Sequence, residues 1–113
     1  MSVRIKGIGS CIPSVRMTND DLAQRVETTD EWIRSHTGIG TRHFASDGLK
    51  TSDLATEAAA KALAMAGIGA DMLDVIVLAS ASPDFFGFPS TACIVQDKLG
   101  AKNAAAFDIS AGC

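Results

Sequence analysis

Between Thr51 and Ala66 the chain repeats Leu54, Ala58, Ala62 and Ala66 at intervals of four. That spacing stacks side chains on one face of a helix. Thr51, Ser52 and Asp53 are candidate caps at its start, and Gly67 is a stop at its end. After Asp74 comes Val75-Ile76-Val77-Leu78-Ala79-Ser80-Ala81, an uninterrupted apolar run of strand length. Such a run fits a central strand covered on both faces. A long helix feeding a buried strand implies an α/β fold with a parallel or mixed sheet. The alanines of the helix, Ala55, Ala58, Ala59 and Ala62, leave room for another backbone to approach closely.

The same alternation extends to both sides. Val3, Ile5 and Ile8 alternate with charge and glycine, which predicts a first strand over Val3 to Ile8, ending at Gly9-Ser10. Pro13-Ser14 marks a turn. Thr18-Asn19-Asp20-Asp21 supplies capping residues for a short helix over Leu22 to Val26. Thr28-Thr29-Asp30-Glu31 opens a second helix through Trp32, Ile33 and Arg34 until Gly38 interrupts. Ser90 to Leu99 has helical spacing and stops at Gly100, and Ala104 to Ile109 is the next strand. With no low-complexity linker and no fixed repeat, residues 1–113 read as one domain.

Composition narrows the functional classes. Apolar residues make up 47% of the 113, enough for a packed core and too many for a disordered chain. Thirteen acidic and ten basic residues, interspersed, leave a net charge of −3. That balance gives no footprint for nucleic acid or an anionic membrane. No apolar run approaches the ~18 residues of a membrane span, and charges break the apolar stretch at the N-terminus, so no signal peptide is expected. Cys11, Cys93 and Cys113 are widely spaced and read as free thiols of a reducing, cytoplasmic compartment. They lie too far from His36 and His43 in sequence to suggest a metal motif. Gly7-Ile8-Gly9 lacks the third glycine of a dinucleotide fingerprint, since Ile12 stands there, and no Gly-Lys-Ser/Thr phosphate loop exists.

Four features carry chemistry of more than one reading. Trp32, the only tryptophan, sits at the start of a short helix. It can be core, or with Arg34 and His36 it can form a stacking surface for a flat ring with an anionic tail. Phe85-Phe86-Gly87-Phe88-Pro89-Ser90 places three aromatics in a loop after the buried strand, where they can cap a core or line a pocket or interface. Asp108, at a strand end near Cys113, can be structural or catalytic, with the structural reading preferred. Cys113 follows that strand through the small residues Ser110, Ala111 and Gly112. It can be an inert buried thiol, or a thiolate stabilised by the first N–H groups of a following helix.

Taken in order, Thr28-Thr29-Asp30-Glu31-Trp32-Ile33, Thr37-Gly38-Ile39, Arg42, Phe88-Pro89-Ser90 and Ala106-Phe107-Asp108-Ile109-Ser110-Ala111-Gly112-Cys113 resemble the beta-ketoacyl-acyl-carrier-protein synthase III family. The resemblance implies the N-terminal half of a thiolase-like fold, a mixed sheet covered by helices in α/β/α layers, ending at the nucleophile. It implies that Cys113 takes an acyl group, in particular acetyl, from acyl-CoA and that the acyl-enzyme condenses with malonyl-acyl-carrier-protein. Acyl-CoA is then a substrate, and no cofactor or metal is expected. Trp32 aligns with a residue that stacks on the CoA adenine, and Thr28 with its neighbour. Phe88 aligns with a loop residue that reaches the partner's acyl pocket in a homodimer. His36 stands where the family commonly has Arg, and its imidazole makes a weaker, pH-dependent contact to CoA phosphate. Gly40 likewise replaces a frequent basic residue. Members are much longer than this chain and draw a His and an Asn from a C-terminal half. The same residues also resemble CoA-dependent condensing enzymes of polyketide or secondary metabolism. A non-catalytic fragment that acts only by binding or association is the contrasting expectation.

Overall fold

The computed structural model describes residues 2–46 and 48–110. The chain divides into two compact units, Ile12–Gly48 and the combination of Met1–Cys11 with Leu49–Cys113.

In the smaller unit, β1 (Val15–Thr18) runs directly into α1 (Asn19–Ala23). Thr18 makes that switch possible. Its hydroxyl accepts the Asp21 N–H while the Asp21 carboxylate accepts the Thr18 N–H at 2.9 Å, a reciprocal capping box. α2 (Asp30–Thr37) starts on Thr29, whose hydroxyl accepts the Trp32 N–H, and ends at Gly38, where φ of 72° needs a residue without a Cβ. β2 (Thr41–Phe44) then pairs antiparallel with β1, Val15 opposite Phe44 and Thr18 opposite Thr41.

Met17 and Ile33 are buried in this unit, and so is Asn19, at 1% exposure. The Asn19 amide donates to the Asp30 carboxylate at 2.7 Å and to the Ile39 carbonyl at 2.9 Å, while its oxygen accepts from Arg42 at 2.5 Å. A buried amide with its partners in place pins three segments together. Asn19 is therefore a core residue and not the cap its composition suggests. The helix also begins earlier and stops at Ala23, short of the expected Val26. Neither short strand is foreshadowed by alternation, because Arg16, Arg42 and His43 interrupt it.

The larger unit follows the expected pattern closely. α3 (Thr51–Ala66) has the anticipated bounds, with Gly67 left-handed at φ 66°. Its start is fixed by Asp53, which accepts the Lys50 N–H at 2.9 Å. β3 (Val75–Ala79), α4 (Thr91–Leu99) and β4 (Ala105–Ile109) complete it. β3 and β4 pair in parallel, Val75 beside Ala105 and Ala79 beside Ile109, joined through α4. The core is Leu78, Ala92 and Val95, with Ala55, Ile76, Leu99 and Ala106 packed around it.

Two expectations are corrected here. Because α3 and α4 pack over the Ile76–Leu78 face, Val75 and Val77 on the other face remain 51% and 50% exposed. Among the described residues β3 is thus covered on one face, where a strand covered on both was expected. The segment read as a first strand, Val3 to Ile8, joins no ladder; residues 2–13 contain neither helix nor strand. An extended segment becomes a strand only beside another strand, and this one lies on α3. A Cβ on Gly9 would stand 2.1 Å from the Ala58 carbonyl oxygen, and one on Gly7 would stand 2.2 Å from that of Ala62. The alanine face of α3 does admit a backbone. No helix among the described residues is long and apolar enough to cross a membrane.

Candidate functional site

The first candidate region lies at the carboxyl ends of β3 and β4, where ligands of open α/β sheets bind. A cavity of about 510 Å³ opens there, lined by Ala79, Ser80, Ala81, Pro83, Phe86, Ile109 and Ser110. Its walls come from strand ends and from the loop leading to α4, so its shape depends on how that loop is held. Asp108 holds one side: its two carboxylate oxygens accept the Thr91 and Ala92 N–H groups at 2.7 Å each, at the start of α4. Thr91, fully buried, passes the connection on, its hydroxyl accepting the Asp84 N–H at 3.0 Å. Asp84 in turn accepts the Ser52 N–H at 2.9 Å at the start of α3. The structural reading of Asp108 is therefore the one its geometry supports. The chain leaves this cavity at Ser110, three residues before Cys113, and Cys113 itself lies outside the described residues.

Within the aromatic loop the three rings separate. Phe86 borders the cavity while 97% exposed, and Phe85 lies under the Lys50 ammonium at 4.7 Å. Phe88 is 90% exposed, between the left-handed Gly87 and a cis bond to Pro89. Sequence reasoning singled out Phe88 and did not separate Phe86, since both sit in the same run of rings.

The remaining cysteines differ in setting. Burial, and next the hydrogen bond to Glu57, push the Cys11 thiol up, away from the thiolate a nucleophile needs. Cys93 is exposed, near Ser90 at the start of α4. Among the described residues no group of three His, Cys, Asp or Glu side chains could hold a metal ion.

The second candidate region belongs to the smaller unit. Trp32 is 56% exposed, which removes the core reading of this residue. Beside it a cavity of about 260 Å³ is lined by Glu27, Thr28, Thr29 and Trp32. The Thr28 hydroxyl is buried with no hydrogen-bond partner among the described residues. His36, one turn further along α2, stacks on Trp32 with ring centroids 4.3 Å apart and planes 20° from parallel. Arg34 is engaged elsewhere, paired with Asp30 at 2.9 Å. The structure thus brings Thr28, Trp32 and His36 together. The stack was missed in the sequence, although four-residue spacing on a helix is its signal.

No protein-family model matches the chain. Comparison with individual proteins is more informative. The beta-ketoacyl-[acyl-carrier-protein] synthase III of Neisseria meningitidis serogroup A is 54% identical over 111 residues, covering 97% of this chain and 34% of that protein. Among solved structures, 3-oxoacyl-[acyl-carrier-protein] synthase III from Aquifex aeolicus superposes with a TM-score of 0.90 at 44% identity, over 97% of this chain and 35% of that one. The priming beta-ketosynthase of the R1128 polyketide biosynthetic pathway superposes with a TM-score of 0.87 at 30% identity, over 96% of this chain and 32% of its own. The chain spans about a third of the length of the relatives it matches. In sequence and in fold, these 113 residues are similar to about one third of a beta-ketoacyl-[acyl-carrier-protein] synthase III.

Proposed function

We propose that these residues are part of a cytoplasmic condensing acyltransferase that starts fatty-acid synthesis, with Cys113 as acyl acceptor. The observation that carries the reading is the 54% identity, over nearly the whole chain, to proteins named for this synthase. In the proposed cycle the Cys113 thiolate attacks the thioester carbonyl of acyl-CoA and CoA leaves as its thiolate, so a difficult transfer is split in two. Loss of carbon dioxide from malonyl-acyl-carrier-protein then leaves an electron pair on carbon. That carbon attacks the Cys113 thioester, expels the thiolate and forms a beta-ketoacyl-carrier-protein. A His and an Asn from a C-terminal half promote this second step, and acyl-CoA serves as substrate with no further cofactor.

Within this scheme Trp32 stacks on the CoA adenine, and Thr28 lines the cavity beside it. His36 takes the place of a phosphate-binding Arg. Phe88, exposed on its loop, reaches the partner's acyl pocket in a homodimer. A ring there fills volume that a longer primer would need, which favours acetyl. A second reading, priming in a polyketide pathway, draws on the R1128 enzyme, but the lower identity of 30% makes it the weaker one.

Kinetics of Trp32→Ala in the complete enzyme test the assignment. Stacking of a base on an aromatic ring contributes about 1–3 kcal/mol. The KM for acyl-CoA should therefore rise about tenfold, with that for malonyl-acyl-carrier-protein little changed. Equal effects on both substrates would overturn the adenine-stacking role.

A further inference from the structure

We propose that His36 is a positioning residue for Trp32, fixing the indole so that one face stays open beside Thr28 and Thr29 for a flat ring. The proposal rests on the reading of Trp32 as a stacking platform and gives His36 a task other than contact with a phosphate.

The geometry is set by α2. Trp32 and His36 are four residues apart, which puts them on one face of the helix, one turn from each other. Thr28 and Thr29 lie a turn before Trp32, and the cavity beside the indole is lined by Glu27, Thr28, Thr29 and Trp32 without His36. The imidazole therefore covers the side of the indole toward the helix end, at 4.3 Å and 20°. The side toward the helix start remains free.

The imidazole is itself held. Its Nδ1 lies 2.8 Å from the Trp32 carbonyl oxygen. A carbonyl oxygen only accepts, so Nδ1 carries the hydrogen and the ring orientation is fixed. The Ser35 hydroxyl donates to the same carbonyl at 2.9 Å and sits 3.1 Å from Nδ1. A half-exposed tryptophan with nothing beside it would exchange between rotamers and would have to be ordered when a ligand binds. Packing a held ring against one face removes much of that ordering cost before the ligand arrives. The stack uses the flatness of the imidazole and needs no charge, so phenylalanine should replace it in this role.

Trp32 is the only tryptophan of these 113 residues, and the near-ultraviolet circular dichroism band that Trp32→Phe removes reports on its packing. The experiment compares His36→Ala and His36→Phe with the unaltered protein, recording that band and the affinity for free coenzyme A. His36 is exposed, and far-ultraviolet dichroism checks that both variants keep their helices. The expected result is that His36→Ala loses the Trp32 band and weakens coenzyme A about fivefold, while His36→Phe retains both. An unchanged band in His36→Ala overturns the proposal. So does a His36→Phe variant as impaired as His36→Ala, which would return the residue to an anion-contacting role. If the band behaves as expected but the unaltered protein binds no coenzyme A, the positioning role stands and the adenine-stacking reading of Trp32 falls.

Discussion

The Asp108 carboxylate at the end of β4 receives the backbone N–H of Thr91, and with it that of Ala92, at 2.7 Å each. One side chain thereby joins the carboxyl end of a strand to the first turn of the helix that crosses back to it. The walls of the larger cavity, Ser80 and Pro83 on one side and Ile109 and Ser110 on the other, are held in register by this joint and its extension through Thr91 and Asp84.

Removing the joint should therefore cost stability. Hydrogen bonds to a charged acceptor contribute about 1.5–3 kcal/mol each, and Asp108 makes two of them. We expect Asp108→Ala to lower the free energy of unfolding by at least about 2 kcal/mol, on the same scale. Asp108→Asn, which keeps one acceptor oxygen, should lose less. Urea denaturation measures both, and an alanine variant as stable as the parent would show that the joint is incidental.

Acid should cost stability through carboxylates whose folded values are depressed, Asp53 and Asp30 among them. Asp53 is held below the usual carboxylate range chiefly by the hydrogen bond from Lys98, and next by the Lys50 N–H. Asp30 is held below it chiefly by the Asn19 amide, and next by Arg34. A depressed folded value means that the unfolded chain binds protons more readily. The stabilisation is thus complete above the ordinary aspartate value of about 4 and is lost as pH falls below it through the folded values. Stability measured from pH 6 downward should stay level and then decline. Asp53→Asn should make that decline shallower; an unchanged acid limb would contradict the assignment to the Lys98 contact.

Gly9 offers a test of how the N-terminal segment lies on α3. In Gly9→Ala the new methyl group would meet the Ala58 carbonyl oxygen at 2.1 Å and the Ala62 nitrogen at 2.6 Å, both backbone atoms that cannot turn aside. Overpacking of this kind typically costs about 1–3 kcal/mol. Thermal unfolding should show a clear loss for Gly9→Ala. A neutral outcome would mean that the segment does not dock on the helix at this point.

Much of this architecture was legible in the sequence wherever local chemistry marks a boundary. α3 and α4 announce themselves through Gly67 and Gly100 and through apolar spacing, and Val75 to Ala79 is apolar enough to be a strand in any setting. The failures share a cause, since each depends on what a segment lies beside. Val3 to Ile8 alternates like a strand but lies on a helix. β1 and β2 are four residues each and carry arginines, so only their mutual pairing makes them strands. Asn19 looks like a cap and is buried, because Thr18, one residue earlier, takes the capping role. At the candidate sites, residue type pointed to Trp32 and the family resemblance to Thr28 and Phe88, whereas the stacking of His36 and the cavity position of Phe86 are facts of three-dimensional placement.

The central claim is that Cys113 accepts an acyl group. Incubation with isotopically labelled acetyl-CoA, followed by mass spectrometry of the cysteine-containing peptides, measures it directly. The account predicts label on Cys113, none on Cys11 or Cys93, and none anywhere in Cys113→Ala. An unlabelled Cys113, or label that persists when Cys113 is replaced, would contradict it.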